Sequence, residues 1–250
     1  MSAETSPYVG MDGERYVLLT IHGAWSDNSG LEQLVKFCEK EISGLKTYRI
    51  NYGDTPGHSL LSRRNRKYLK ASVQNEFFKF RELLFDGTGK NFPRGRNSVI
   101  VAVAHSFGTY LLLSYLQRPV NDLRISKIVL LSSVLSRWTD WDHIIDSIGS
   151  LIQTPVNLVR PFDFGVFLGE FVGGGRSGTR GFSPSGTRAP VDHFKHGGHT
   201  SYCQEDFEDI KNIILGRFDI SIVIDSKKFF SNLRWYKRAT LRLLRFFQIL

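Results

Sequence analysis

The chain has 250 residues, 41% of them hydrophobic and 23% charged, with two cysteines and a formal net charge of +9. That length and apolar content suit one domain with its own core, which excludes a disulfide-stapled miniprotein and a disordered polyelectrolyte. Cys38 and Cys203 are too few and too far apart for a staple framework or a zinc cluster, and they read as reduced thiols of a cytoplasmic protein. Residues 1–15 lack the apolar core of a signal peptide, and no uncharged apolar run approaches the ~20 residues that span a bilayer, so neither secretion nor a transmembrane helix is expected.

Tyr16 to Ile21 is a continuous apolar run that reads as a strand ending at His22-Gly23-Ala24-Trp25. A helix follows: Leu31, Leu34, Val35, Cys38 and Ile42 fall at helical spacing, Asn28 or Ser29 can cap it, and Gly44 ends it. Thr47 to Asn51 reads as a second strand. Gly53 to Lys67, basic and carrying Gly and Pro, reads as a loop, and the next helix runs from about Tyr68 to Leu84 with Leu69, Val73, Phe77 and Phe80 inward. After a turn-rich segment, the β-branched stretch Val99 to Ala104 breaks at a small-residue turn around Ser106, and a helix begins at once and runs until Pro119. Lys127 to Val134 is a further strand, Trp141 to Ile152 a helix and Pro155 to Val159 a strand. Gly173 to Pro190 is a long Gly/Ser/Arg loop, Val191 to Lys195 a last strand, and Tyr202 to Leu215 a helix closed by Gly216. Elements alternating at these spacings predict an α/β fold with a mostly parallel sheet flanked by helices. Residues 1–225 are assigned to that domain and 226–250 to a basic amphipathic C-terminal helix.

The turn Ala104-His105-Ser106-Phe107-Gly108 has the Gly-x-Ser-x-Gly pattern of a nucleophile elbow, with Ala in the first position. A serine hydroxyl is a weak nucleophile; it needs a base in reach, an acid to orient that base, and amide donors for the developing oxyanion. The Phe107 N–H, at a helix start, is one such donor. The loop after the first strand supplies the other, with the Ala24 amide preferred and Trp25 in reserve. His105 points away from Ser106 across such a turn and reads as a packed histidine.

These features resemble the α/β-hydrolase superfamily: the His22-Gly23 loop after the first parallel strand, the Ala-His-Ser-Phe-Gly elbow, and an Asp then a His after later strands. The resemblance covers Tyr16 to Gly216. It implies the order nucleophile, acid, base, each after a strand, which maps onto Ser106, Asp163 and His199. It implies no metal and no cofactor. The chain departs from the family in having little room for antiparallel strands before Tyr16 and only a short excursion between Val134 and Pro155, so no large cap domain is expected. The loop from Gly173 to Pro190 is left to cover the site.

Each assignment has competitors. Asp140 and Asp142 follow the preceding strand and could supply the acid, or cap the helix near Trp141. Asp192 reads as a surface residue. His193, His196 and His199 recur every third residue, which suggests a metal site, but no cysteine or carboxylate pattern supports one. His199 is preferred as base because it lies in a Gly-flanked loop past the strand; His196 is second, and His193 falls within the strand. Arg176, Arg180 and Arg188 could grip an anionic substrate, or belong to a solvated loop.

The charge is concentrated at one end. Of the 33 basic residues, seven lie in Ser226 to Leu250, a stretch with no acid, and the remainder are nearly matched by the 24 acidic residues. On a helical wheel Phe230, Leu233, Tyr236, Leu241, Leu244 and Phe247 face opposite Arg234, Arg238, Arg242 and Arg245. Such a helix binds an anionic membrane surface or a protein partner's groove, or folds onto the body or across a dimer. No nucleic-acid motif accompanies the charge. The expected activity is cleavage of a carboxylic ester or thioester, such as an acyl lipid, by a Ser-His-Asp triad. The alternative is a non-catalytic scaffold or effector recruited through its basic tail. Oligomeric state is left open.

Overall fold

Among the described residues, the apolar, β-branched runs become the central strands of one sheet. The computed structural model describes residues 15–23, 29–53, 62–85, 98–118, 123–148, 151, 153–161, 163, 166, 175–183, 188–195, 199 and 202–218. The elements in order are β1 (Arg15–Ile21), α1 (Ser29–Glu41), β2 (Lys46–Ile50), α2 (Arg63–Phe85), β3 (Ser98–His105) and α3 (Phe107–Leu116). They continue with β4 (Ile125–Leu131), α4 (Trp141–Ile148), β5 (Val156–Val159), α5 (Ser177–Arg180), β6 (Val191–Phe194) and α6 (Gln204–Ile214). The six strands form one parallel sheet in the order β2-β1-β3-β4-β5-β6. Parallel strands need long crossovers, and the helices that supply them cover both faces, so central strands can be apolar on both sides. β4 and β5 are buried at every position, and β3 at all but its first.

Two cores result. On one face α1 (Leu31, Leu34, Cys38), with Ile42 just after it, meets α6 (Phe207, Ile210, Ile213, Ile214) over Leu18, Val101 and Val129. On the other, α2, α3 and α4 bury Phe77, Phe80, Leu111, Leu112, Trp141 and Ile144 over Leu19, Ala102 and Leu130. Lys127, buried in β4, donates through Nζ to the carbonyls of Ile213 (3.0 Å) and Ile214 (2.8 Å), so a cation closes the negative end of α6.

Three element boundaries differ from those expected. α2 begins at Arg63 instead of near Tyr68, because nothing after Gly57 breaks a helix and Ser62 caps it: the Ser62 carbonyl accepts from Arg66 N–H (3.1 Å) and its hydroxyl from Asn65 N–H (3.4 Å). The Gly/Ser/Arg loop is not open throughout. It contains α5, and a Cβ on Gly178 would stand 2.4 Å from the Ser133 nitrogen, so this glycine lets the segment lie directly on the chain beyond β4. β4 stops at Leu131, where Ser132 turns to φ 49°. The basic segment 226–250 lies outside the described residues. Among the described residues no helix is long and apolar enough to cross a membrane.

One buried ion pair ties the two late loops together. Arg160, immediately after β5, is fully buried, pairs through Nη2 with Asp206 Oδ2 at 2.8 Å, and lies 4.6 Å over the Tyr202 ring. Asp206 also accepts the Cys203 N–H at 2.9 Å, capping α6. Removing one member of such a pair leaves the other charged and buried. Arg160→Met is therefore expected to destabilise the fold by about 3–5 kcal/mol, measured by urea denaturation.

Candidate active site

In an open parallel sheet, the place where the strand order reverses leaves a crevice outside the carboxyl ends of the strands. Here β1 lies between β2 and β3, so the reversal falls between β1 and β3. Gly23 follows β1 and Ser106 follows β3, and both are at that crevice. A Cβ on Gly23 would stand 2.7 Å from the Ser106 Cβ, and one on Gly108 would stand 2.5 Å from the carbonyl oxygens of Ile21 and His22. The start of α3 is thus pressed against the end of β1, and only glycine permits both approaches.

Ser106 takes φ 52° and ψ −124°, a conformation that costs energy for a residue with a Cβ. It is held there by its own amide, which donates to Leu131 O at 2.9 Å, and by its carbonyl, which accepts from the Thr109 hydroxyl at 2.7 Å. The Thr109 oxygen in turn accepts from the Val134 N–H at 3.2 Å, so the chain beyond β4 braces the turn. Phe107 opens α3, which places its N–H among the amides that start that helix. Ala24 and Trp25 lie outside the described residues.

Asp163 and His199 meet. His199 donates through Nδ1 to Asp163 Oδ1 at 2.7 Å, with the carboxylate fully buried and the imidazole partly exposed. Asp163 is positioned from β5, its N–H donating to Arg160 O at 3.0 Å, and its Oδ1 also accepts from Val166 N–H at 3.0 Å. Burial pushes its pKa up, but the hydrogen bond and charge of His199, the Ser132 hydroxyl and the Val166 amide together hold it below the ordinary carboxylate range.

His105 joins the end of β3 to the His199 loop. Its Nε2–H donates to the His199 carbonyl at 3.1 Å, and the two rings stand 4.8 Å apart. Burial, then the charge of His199, depresses its pKa to about 3, so it is neutral at physiological pH with its proton on Nε2, the nitrogen that faces a carbonyl. The Ser132 hydroxyl reaches the same carbonyl at 3.4 Å. Among the described residues, Ser106 makes no side-chain hydrogen bond to His199; such bonds in unliganded sites often close only with substrate.

The competing residues go elsewhere. Asp140 caps α4, accepting His143 N–H at 3.1 Å, and Asp142 and Asp146 are engaged by Arg188. His193 lies in β6 and faces Asp209 at 3.1 Å, away from the Asp163–His199 pair. His196 is outside the described residues. Asp192, read as a surface residue, is half-buried: it accepts from Asn157 Nδ2 (2.7 Å) and Phe182 N–H (2.8 Å), and burial raises its pKa to about 6. A cleft of about 590 Å³ opens beside Trp138, Asp140 and His143 and does not include Ser106. Ser132 and Arg160 were not singled out from sequence. The one local signal for Ser132 is a polar residue directly after a buried strand; Arg160 carries none, because its partner is remote in sequence.

No family model matches the sequence, and no match was found among curated proteins. Solved structures do match. The siderophore hydrolase EstB from Aspergillus fumigatus aligns over 88% of this chain and 94% of its own at 12% identity, with a TM-score of 0.51. Dienelactone hydrolase from Anabaena variabilis aligns over 83% and 87% at 11% identity (TM-score 0.45). A cold-adapted esterase from an Arctic intertidal metagenomic library aligns over 82% and 83% at 15% identity (TM-score 0.46). At these identities the likeness concerns the path of the chain, and EstB agrees with the parallel sheet and crossovers described above. The chain has the α/β-hydrolase fold.

Proposed function

We propose that the protein is a serine hydrolase of carboxylic esters or thioesters. The observation that carries this reading is the 2.7 Å Asp163–His199 pair, tied through His105 to the strained turn that presents Ser106. Ser106 Oγ attacks the acyl carbon as His199 Nε2 takes its proton; the carbonyl π pair moves to oxygen, where the amides of Phe107 and Ala24 hold it. Collapse breaks the bond to the leaving alcohol or thiol, which takes the proton from His199. Water then repeats the sequence on the acyl-enzyme and releases the acid. Asp163 stays ionised, fixes the His199 tautomer with the proton on Nδ1, and stabilises the imidazolium. EstB is itself a siderophore hydrolase, which agrees with this reaction class. A short excursion after β4 favours substrates with an accessible acyl group, and the basic tail favours acyl lipids.

A fluorophosphonate probe is expected to label the wild-type protein at Ser106 and to leave Ser106→Ala unlabelled; no labelling of folded wild type would overturn the reading. With a p-nitrophenyl acyl ester, Ser106→Ala or His199→Ala should each lower kcat on the order of 10⁴-fold or more, and His196→Ala should change it little.

Asp163→Asn places an amide where His199 needs an acceptor and is expected to lower kcat about 10⁴-fold. The pair also affects stability. The folded pKa of Asp163 is depressed, so its contribution is present above the ordinary carboxylate pKa of about 4 and is lost as pH falls below it. Thermal midpoints of wild type and Asp163→Asn should therefore converge in acid.

His105 is assigned as a positioning residue that holds the His199 backbone through its Nε2–H. His105→Gln keeps a donor and should retain kcat within about tenfold, while His105→Ala should lose about 100-fold with KM little changed, the size of effect that a misplacement of about 1 Å produces. Because its folded pKa of about 3 lies below the ordinary 6.5, the unfolded chain takes up the proton first and stability declines as pH falls from 6.5. Urea midpoints measured between those values should fall less steeply for His105→Gln than for wild type.

A further inference from the structure

We infer that the outer face of α2 docks the protein on an anionic lipid bilayer, with the Ser106 end of the sheet beside that surface. From Thr55 to Asn75 the sequence holds no acidic residue and five basic ones, Arg63, Arg64, Arg66, Lys67 and Lys70. Since α2 begins at Arg63, Arg64 and Lys67 stand at the positive end of a helix, where a cation is disfavoured and the approach of a negative surface relieves it. Arg64 and Lys67 are exposed and have no ion-pair partner among the described residues. Beside them Tyr68 is 71% exposed, and further along the helix Phe78 is 53% exposed; α2 thus carries two of the three exposed large hydrophobic residues described.

The place of this face in the fold gives it meaning. Lys70 Nζ lies 4.6 Å over the Tyr110 ring and Phe77 stacks on Tyr115 at 3.8 Å, so α2 and α3 run side by side in the same direction. At about 1.5 Å per residue, α2 reaches about 10 Å past Lys70, whereas Ser106 lies only about 6 Å before Tyr110. The cationic turns therefore stand as a rim at the end of the molecule where Ser106 sits. The acids Asp142 and Asp146 of α4 are on the far side of α3 and are engaged by Arg188. Cations with an amphipathic tyrosine among them match the headgroup layer of an anionic membrane. A bilayer also needs no matching concavity, and the cleft beside Trp138 is not lined by α2. That substrate enters at this rim rests on the hydrolase reading; the docking itself does not.

The test is co-sedimentation of the full chain with vesicles of phosphatidylcholine alone or with one third phosphatidylserine. Wild type should partition onto the phosphatidylserine vesicles only, and less so as salt is added. A basic side chain at such a surface strengthens binding about fivefold, so R64E/K67E, with the C-terminal segment intact, should bind at least about 25-fold more weakly. Tyr68→Ser should weaken binding several-fold. Unchanged partition of R64E/K67E, equal binding to both vesicle types, or no binding to either overturns the proposal. Fluorophosphonate labelling of R64E/K67E in solution should equal wild type, which separates lost docking from lost folding. If wild type itself is unlabelled, the hydrolase reading fails while the vesicle result still decides the docking.

Discussion

The fold around the site depends on how closely the end of β1 approaches the start of α3. With 2.5 Å between a would-be Gly108 Cβ and two carbonyl oxygens, and 2.7 Å between a would-be Gly23 Cβ and Ser106, neither position tolerates a side chain. That contact fixes where α3 begins, and so forces the chain leaving β3 to reverse within one residue. Ser106 absorbs the reversal at φ 52°. The strain persists because the hydrogen bond that Ser106 donates to Leu131 and the one it accepts from Thr109 over-determine it. A side chain on so sharp a turn is presented at the carboxyl edge of the sheet, where the strand order leaves a crevice.

Around that turn the interior separates one charged group from one neutral group. Asp163 and His105 are both buried, and burial works against the charge of each. Asp163 overcomes this with an imidazole, a hydroxyl and an amide directed at it; at His105 burial and the neighbouring His199 outweigh the carbonyl acceptor and the charge of Asp163, and it stays neutral. The result is one permanent acid that orients His199 and one neutral donor that holds its backbone. The Arg160–Asp206 pair stands behind them and anchors the chain that carries Asp163 to the helix that follows His199.

Charge on the outside follows a different logic from charge within. A surface ion pair such as Arg49–Glu32 is exposed and contributes little. The run of cations at the start of α2 has no acid nearby in sequence, and a helix dipole that opposes it. A basic loop is an ordinary solvated segment, whereas Arg64 and Lys67 on a helix are held one turn apart on its exposed face.

By itself, the sequence determined which segments are strands and which are helices over most of the described chain, because period and punctuation are local properties: Val99 to Ala104 could only be a buried strand, and the small residues around Ser106 marked the turn. The resemblance to the α/β-hydrolase superfamily, with its order of nucleophile, acid and base after successive strands, offered Asp163 and His199 as candidates. The sequence could not decide that these two meet, nor that Asp140 caps a helix and His193 faces Asp209 instead, since each pairing joins residues on different strands. Asp192 and Arg160 show the same limit. A carboxylate in a short strand and an arginine after one look solvent-facing in sequence, and only the tertiary packing half-buries the first and fully buries the second. Local pattern fixes the elements; the crossovers bring distant polar groups into one dry space, and there their partners, and hence their charge states, are decided.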